Sequence, residues 1–297
     1  MNPPNPSKSQ IIVALDFDQT LTQTDTLATL TSSISHYHPH GSLLPFAPLV
    51  TQYLQDLSHH ESTWVPRITP ITGEQPTRDL LSAYLNSYRC IENASLKRIS
   101  RAGILSGVTR NDLHTIGSNT DAVVLRPGAA SAINGFIENG FKVMVISVNW
   151  SGDFIHGILH ANGVLGGPED VEILCNDPEF DPRTGVSTGW VEPVMVVAGD
   201  KVEALRRIKE QVGTETSEIV VVYAGDSLTD LPLLLIADVG LLVGRNADVL
   251  DWCGRLGIPF GMPRADDHGK ALHRLDDWGA AASIIHQHII SKLENRQ

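Results

Sequence analysis

Apolar residues in this chain fall into short runs separated by longer stretches with helical spacing. Ile11–Leu15, Val143–Ile146, Val171–Leu174 (broken only by Glu172), Ile219–Tyr223 and Val239–Val243 are short and mostly apolar, with many β-branched residues. Such runs suit strands buried on both faces. Between them, Ala129–Asn139 (ended by Gly140), Lys201–Gln211 and Leu231–Ala237 read as helices. Strands alternating with helices predict βαβ units: an α/β, Rossmann-like parallel sheet core with helices on both faces. The segment from Thr26 to Asp121 differs. Its leucines (Leu27, Leu30; Leu80, Leu81, Leu85) have helical spacing and no strand run occurs. His36–Gly41 and Trp64–Pro76 read as irregular connections. The expected organisation is therefore a disordered tail over 1–10, a core of 11–25 and 122–297, and a helical insertion over 26–121. Cys175–Gly189 reads as a strand, a turn at Asp181–Gly185 and a returning strand, either an excursion near the site or an edge hairpin. Trp278–Leu293, preceded by the capping acids Asp276 and Asp277, reads as a packing helix.

Composition narrows the class. The 297 residues are 42% apolar and 19% charged, as in an ordinary globule with ample core. A formal net charge of −12 argues against a nucleic-acid or anionic-membrane surface, although a bound metal would still admit a phosphorylated substrate. Cys90, Cys175 and Cys253 are far apart without a CxxC, so neither a zinc ribbon nor a disulfide framework is indicated. The start, MNPPNPSKSQ, has no apolar stretch, and Leu231–Val243 is too short to span a bilayer. A cytoplasmic location is expected, with no membrane association and no protein partner indicated.

Polar residues at the strand ends carry the chemistry. Asp16 and Asp18 directly follow the first run, with Thr20 two residues on. At period two the carboxylates project from the same side of the strand end, where open α/β sheets bind ligands. They suit a nucleophile beside a general acid/base or one metal site, and singly they also suit an Asx turn or helix cap. Ser147 ends the second run, Lys201 opens a helix, and Asp226 and Asp230 flank the turn after Tyr223. Each has a plain reading as a strand-end hydrogen bond, a solvated lysine or an acid favoured by a helix dipole. Their joint placement at successive strand ends argues for one site. The histidines of HYHPH, with His59 and His60, raise a metal hypothesis against a solvated loop.

The DFDQT stretch, the Ser147 strand end, Lys201 and GDSLTD resemble, in order, the four motifs of the haloacid dehalogenase-like hydrolase superfamily. The insertion after the first motif is similar to the helical C1-type cap of phosphoserine phosphatase-like members. A closer resemblance is to the phosphatase domain of plant thiamine monophosphate phosphatases. It is carried by Ser147–Asp153, Cys175-Asn176, Ser187–Gly189 and Val222–Ser227. The resemblance implies an Mg2+-dependent phosphomonoesterase with Asp16 as nucleophile and Asp18 as general acid and base. It implies that Asp16, the main-chain carbonyl of Asp18 and Asp226 hold Mg2+, with Asp230 behind them. Ser147 and Lys201 would hold the phosphoryl group, with Phe17 and Val148 beside them, and Thr20 would fix the turn. Asn149, Trp150, Gly107 and Val108 are candidate substrate contacts. The substrate would be a small phosphorylated metabolite, thiamine monophosphate or else a sugar, polyol or amino-acid phosphate. A catalytically silent binding relative is the alternative from another class.

Overall fold

The computed structural model describes residues 10–37, 45–68, 77–165, 167, 169–212, 219–261 and 271–286. Strands β1 (Gln10–Leu15), β2 (Lys142–Ile146), β3 (Val171–Leu174), β6 (Ile219–Gly225), β7 (Val239–Val243) and β8 (Ala271–Leu275) form one sheet in the order β3-β2-β1-β6-β7-β8. All its pairings are parallel. Because side chains alternate along a strand, each face of the sheet has its own core. Val13, Leu15, Val143 and Val145 join one buried cluster with Ile133 and Phe136 of α6 (Ala129–Glu138) and Phe154 and Ile158 of α7 (Gly152–Ala161). Ile12, Ala14, Met144 and Ile146 join the other with Leu205 of α8 (Ala198–Val212), Leu233 of α9 (Leu231–Ile236) and Trp252 of α10 (Ala247–Arg255). The helices thus cover both faces, as the alternation predicts.

The stretch between β1 and β2 is helical: α1 (Leu27–Tyr37), α2 (Phe46–Ile68), α3 (Arg78–Ser87), α4 (Arg89–Ala102) and α5 (Arg110–Gly117). Trp64–Ile68, expected to be irregular, continues α2 instead. Pro66 fails to break the helix, although it removes a backbone donor. The remainder of that connection, and most of His36–Gly41, lie outside the described residues. Helix α5 packs tightly on α7 of the sheet layer. A Cβ on Gly117 would come within 2.1 Å of the Phe154 carbonyl oxygen, so only glycine permits this approach.

Strands β4 (Asp177–Phe180) and β5 (Ser187–Glu192) form a separate antiparallel pair, as the turn at Asp181–Gly185 predicts. The pair is not on an edge of the main sheet. Its backbone bonds the end of the inserted segment, Gly107 N–H to Ser187 O and Ser187 N–H to Val108 O. Strand β8 is absent from the sequence reading because its polar His273 and Arg274 interrupt the apolar pattern, although Leu272 and Leu275 are buried. Over the C-terminal segment a 3-10 turn, Trp278–Ala280, leads into helix through residue 286, and residues 287–297 lie outside the described set. Asp277 caps that turn, accepting from Gly279 N–H.

Candidate active site

Register brings the candidate residues together. Leu15 pairs with Val145 of β2 and with Ala224 of β6, so the chain leaves all three strands at one level. Asp16 is the next residue on β1 and its N–H bonds the Ala224 carbonyl at 2.8 Å. Ser147 and Asp226 each lie two residues past those partners. Beyond Asp16 the loop turns sharply: Thr20, Leu21 and Thr22 all donate their N–H groups to the Phe17 carbonyl. Gln19 adopts φ 59°, which a non-glycine residue rarely does, and the surrounding bonds hold it there. Its N–H donates to Thr22 Oγ1, and Arg126 Nε donates to its carbonyl at 2.8 Å. The buried indole of Trp278 donates to the Thr20 carbonyl at 3.2 Å. The C-terminal segment therefore props the loop as well as packing.

Asp16, Asp226 and Asp230 offer carboxylate oxygens that all lie within 4.8 Å of one another. Lys201 Nζ stands 2.7 Å from Asp16 Oδ1 and 2.7 Å from Asp230 Oδ1, with all three side chains buried. Asp230 also accepts from Tyr223 Oη, Ser227 Oγ and Ser227 N–H. Burial favours its neutral form, but Lys201 and these donors outweigh burial and hold its carboxyl below the usual range. Asp16 has fewer donors, Lys201 and the Thr20 hydroxyl at 2.8 Å. Burial and the neighbouring Asp230 charge push its carboxyl up, although Lys201 pulls it down. Asp226, sharing the Thr20 hydroxyl at 3.0 Å, is pushed up to about 6 by burial and by Asp230. Burial alone would lower Lys201, and the two carboxylates reverse this and raise it. Gly225 makes the fold-back possible: a Cβ there would lie 2.5 Å from that of Asp230.

Asp18 is held differently. Its Oδ1 accepts from Thr26 N–H at 2.8 Å and Thr26 Oγ1 at 2.6 Å, and its Oδ2 accepts from Asn149 Nδ2 at 2.9 Å. Burial raises its carboxyl, with those bonds pulling the other way. Asn149 also bonds Thr26 Oγ1 and is fully buried, so it touches the candidate acid rather than open space. Ser147 Oγ accepts from Asn149 N–H, and its own O–H has no acceptor among the described residues. Phe17 is fully buried, whereas Val148 is exposed on the cavity wall. Thr26 and Tyr223 escaped the sequence reading. Thr26 stands eight residues past Asp18, outside any motif spacing, and Tyr223 reads as an ordinary core residue of a strand.

Beside this cluster lies a cavity of about 480 Å³, walled by Leu27, Phe46, Leu96, Ile99 and Trp150 among others, with Lys201 and Thr229 on its border. Trp150 meets Phe46 edge-on, centroids 6.2 Å apart at 84°. Tyr53, Glu92, Asp25, Ser95 and Asn176 are further polar residues of the cavity wall. Gly107 and Val108 do not line it, being held against β5. His60 bonds Ser87 Oγ at 2.8 Å and sits against Tyr88, and the HYHPH side chains lie outside the described residues. Among the described residues no helix is long and apolar enough to cross a membrane.

A buried, acid-rich strand end with a lysine between two carboxylates defines a class of hydrolase site, and the comparisons agree. The family model for haloacid dehalogenase-like hydrolase matches residues 13–235, and the chain belongs to that family. A CTO1 family protein of Schizosaccharomyces pombe is 27% identical over 292 residues, covering 91% of this chain and 97% of that one. The mitochondrial bifunctional TH2 protein of Arabidopsis thaliana is 25% identical over 276 residues, 87% of this chain but only 43% of that protein. Among solved structures, a probable phosphoserine phosphatase from Vibrio cholerae shares the fold. Its TM-score is 0.54 at 16% identity, covering 96% of this chain and 67% of that one.

Proposed function

We propose that the protein is a Mg2+-dependent phosphomonoester hydrolase that works through an aspartyl-phosphate on Asp16. The observation that supports it most directly is the geometry around Asp16. A carboxylate at a parallel strand end sits 2.7 Å from a buried ammonium that itself lines the cavity, and a separately oriented acid, Asp18, follows two residues on. Asp16 attacks phosphorus, the ester P–O bond breaks, and Asp18 gives its proton to the departing oxygen. Asp18, then a carboxylate, takes a proton from the water that attacks the aspartyl-phosphate and frees phosphate and Asp16. Burial raises the Asp18 carboxyl, which favours the protonated form that the first step needs, and Thr26 and Asn149 fix its plane. Lys201 and the uncommitted hydroxyl of Ser147 hold phosphoryl oxygens, with Phe17 and Val148 beside them.

The donor set fits a hard divalent cation. Three carboxylates face one ammonium, and Asp16 and Asp226 are both raised, so negative charge is in surplus. Asp16, Asp226 and the main-chain carbonyl of Asp18 would hold Mg2+, with Asp230 anchoring Lys201 behind them. When bound, the ion neutralises charge on the phosphoryl oxygens. The helices inserted between β1 and β2 act as a cap over the leaving group, and the resemblance to plant thiamine monophosphate phosphatases favours thiamine monophosphate as substrate. The test is phosphate release from a panel of phosphomonoesters with and without Mg2+, for wild type and Asp16→Asn. Magnesium-dependent release abolished by the substitution is expected. Release that survives it refutes the assignment of the nucleophile.

A further inference from the structure

The cavity wall has an uneven charge distribution that the phosphate-handling residues do not use. Lys201 is the only basic residue among the described ones that line it, and it is already paired with Asp16 and Asp230. The inserted helices supply Glu92 and Tyr53 instead, and Asp25 joins them from just ahead of α1. Glu92, on α4, receives one side-chain hydrogen bond among the described residues, from Tyr53 Oη on α2 at 2.8 Å. Burial raises the Glu92 carboxyl, with the Tyr53 bond pulling it down, and burial keeps Tyr53 a neutral donor. Across this corner stand apolar Leu96 and Ile99 and the aromatic pair Phe46 and Trp150. A half-buried carboxylate with no cation beside it among the described residues, inside an apolar and aromatic cavity, leaves a place for a positive group, which would pair with the carboxylate and gain the faces of the rings.

We propose that Glu92, held by Tyr53, is the specificity-determining residue of the cavity and selects phosphomonoesters whose leaving group is cationic and apolar or planar. Asp25 adds to the same field. The inference rests on the phosphatase reading and narrows its substrate class. A leaving group bearing its own carboxylate, such as an amino-acid phosphate, meets like charge from both acids and is rejected. A sugar phosphate leaves the apolar wall unfilled.

The test uses two isosteric esters that differ in charge, para-(trimethylammonio)phenyl phosphate and para-tert-butylphenyl phosphate. The ratio of their kcat/KM values in wild type is divided by the ratio in Glu92→Gln, which cancels the different leaving-group reactivity. The amide keeps an oxygen for Tyr53, so the fold is retained. Loss of the partly buried carboxylate is expected to lower the cation-to-neutral ratio by about tenfold. Asp25→Asn, which keeps the oxygen that bonds Leu27 N–H, lowers it in the same direction by less. An unchanged ratio in both variants overturns the inference while leaving the phosphatase reading intact. Hydrolysis of neither ester by wild type counts instead against the phosphatase reading. Calorimetry with phenyltrimethylammonium then decides the inference by itself. Weaker binding to Glu92→Gln supports it, and equal or no binding to both proteins overturns it.

Discussion

Replacing Lys201 with methionine tests the charge balance of the site apart from its chemistry. Methionine fills much of the same linear volume, so the change removes chiefly the ammonium that stands 2.7 Å from both Asp16 and Asp230. Neither carboxylate is open to water, and Asp226 adds a third acid within 4.8 Å. Like charges about 4 Å apart repel by roughly 4 kcal/mol at an effective dielectric near 20. One carboxyl escapes by taking up a proton, and Asp16, already raised, is the one that does. The expected loss is therefore near the lower end of that for breaking a buried pair, about 3 kcal/mol, a large share of a typical stability. The assay is urea unfolding in chelator at pH 7.5 and at pH 5.5. A group whose folded pKa is raised costs stability in full above that pKa, and the cost shrinks as pH falls from there toward the unfolded value. Burial pushes Asp16 up to about 8 already in the wild type, whereas Asp230, despite its burial, is held low by Lys201 and loses that cation in the variant. The deficit of Lys201→Met is therefore expected to shrink at the lower pH as the variant's Asp230 takes up a proton. A loss below about 1 kcal/mol at pH 7.5, or a deficit that grows on acidification, refutes the reasoning.

Asn149→Ala removes a hydrogen bond to Asp18 and one to Thr26, and is expected to lower kcat at least tenfold with little change in KM, read in steady-state kinetics. Equal changes in both constants would point to substrate binding instead. Tyr223→Phe deletes one donor to Asp230 and is expected to cost about 1 kcal/mol in urea unfolding. Gly157→Ala would drive a Cβ to 2.1 Å from the His114 carbonyl oxygen at the α5–α7 contact, with a loss of about 2–3 kcal/mol and a lowered Tm. Arg89, on α4, bonds both Asp200 oxygens at the start of α8. Burial raises the Asp200 carboxyl, but Arg89 and the N–H groups of Val196 and Val197 outweigh it and hold it low. Its contribution is present above the ordinary carboxylate value and is lost as pH falls through the lower folded one. Because Arg89 is half exposed, Arg89→Met is expected to cost under about 1 kcal/mol at pH 7 and less still near pH 3.

Much of this molecule was legible along the chain. Four of the sheet's strands announce themselves as apolar runs because both faces of a central parallel strand are dry. The edge strand β3 shows the pattern more weakly, broken by Glu172. Asp16, Asp18, Lys201, Asp226 and Asp230 are conspicuous because charges beside such runs need a purpose. Strand β8 was not legible: an edge strand tolerates a half-buried His273 and an exposed Arg274, and its pattern is lost. Nor was the run of α2 through Pro66, since packing of a 23-residue helix overrides one local breaker. What only the tertiary structure decided is which groups touch. Thr26 and Asn149 are separated by 123 residues yet meet at Asp18, and Trp278 reaches Thr20 across 258. Tyr53 and Glu92, 39 apart on two helices, form the polar corner of the cavity. Local periodicity encodes which face of an element is buried. It carries nothing about which buried faces share a wall, because that depends on the register of strands and the packing of helices far apart in the chain.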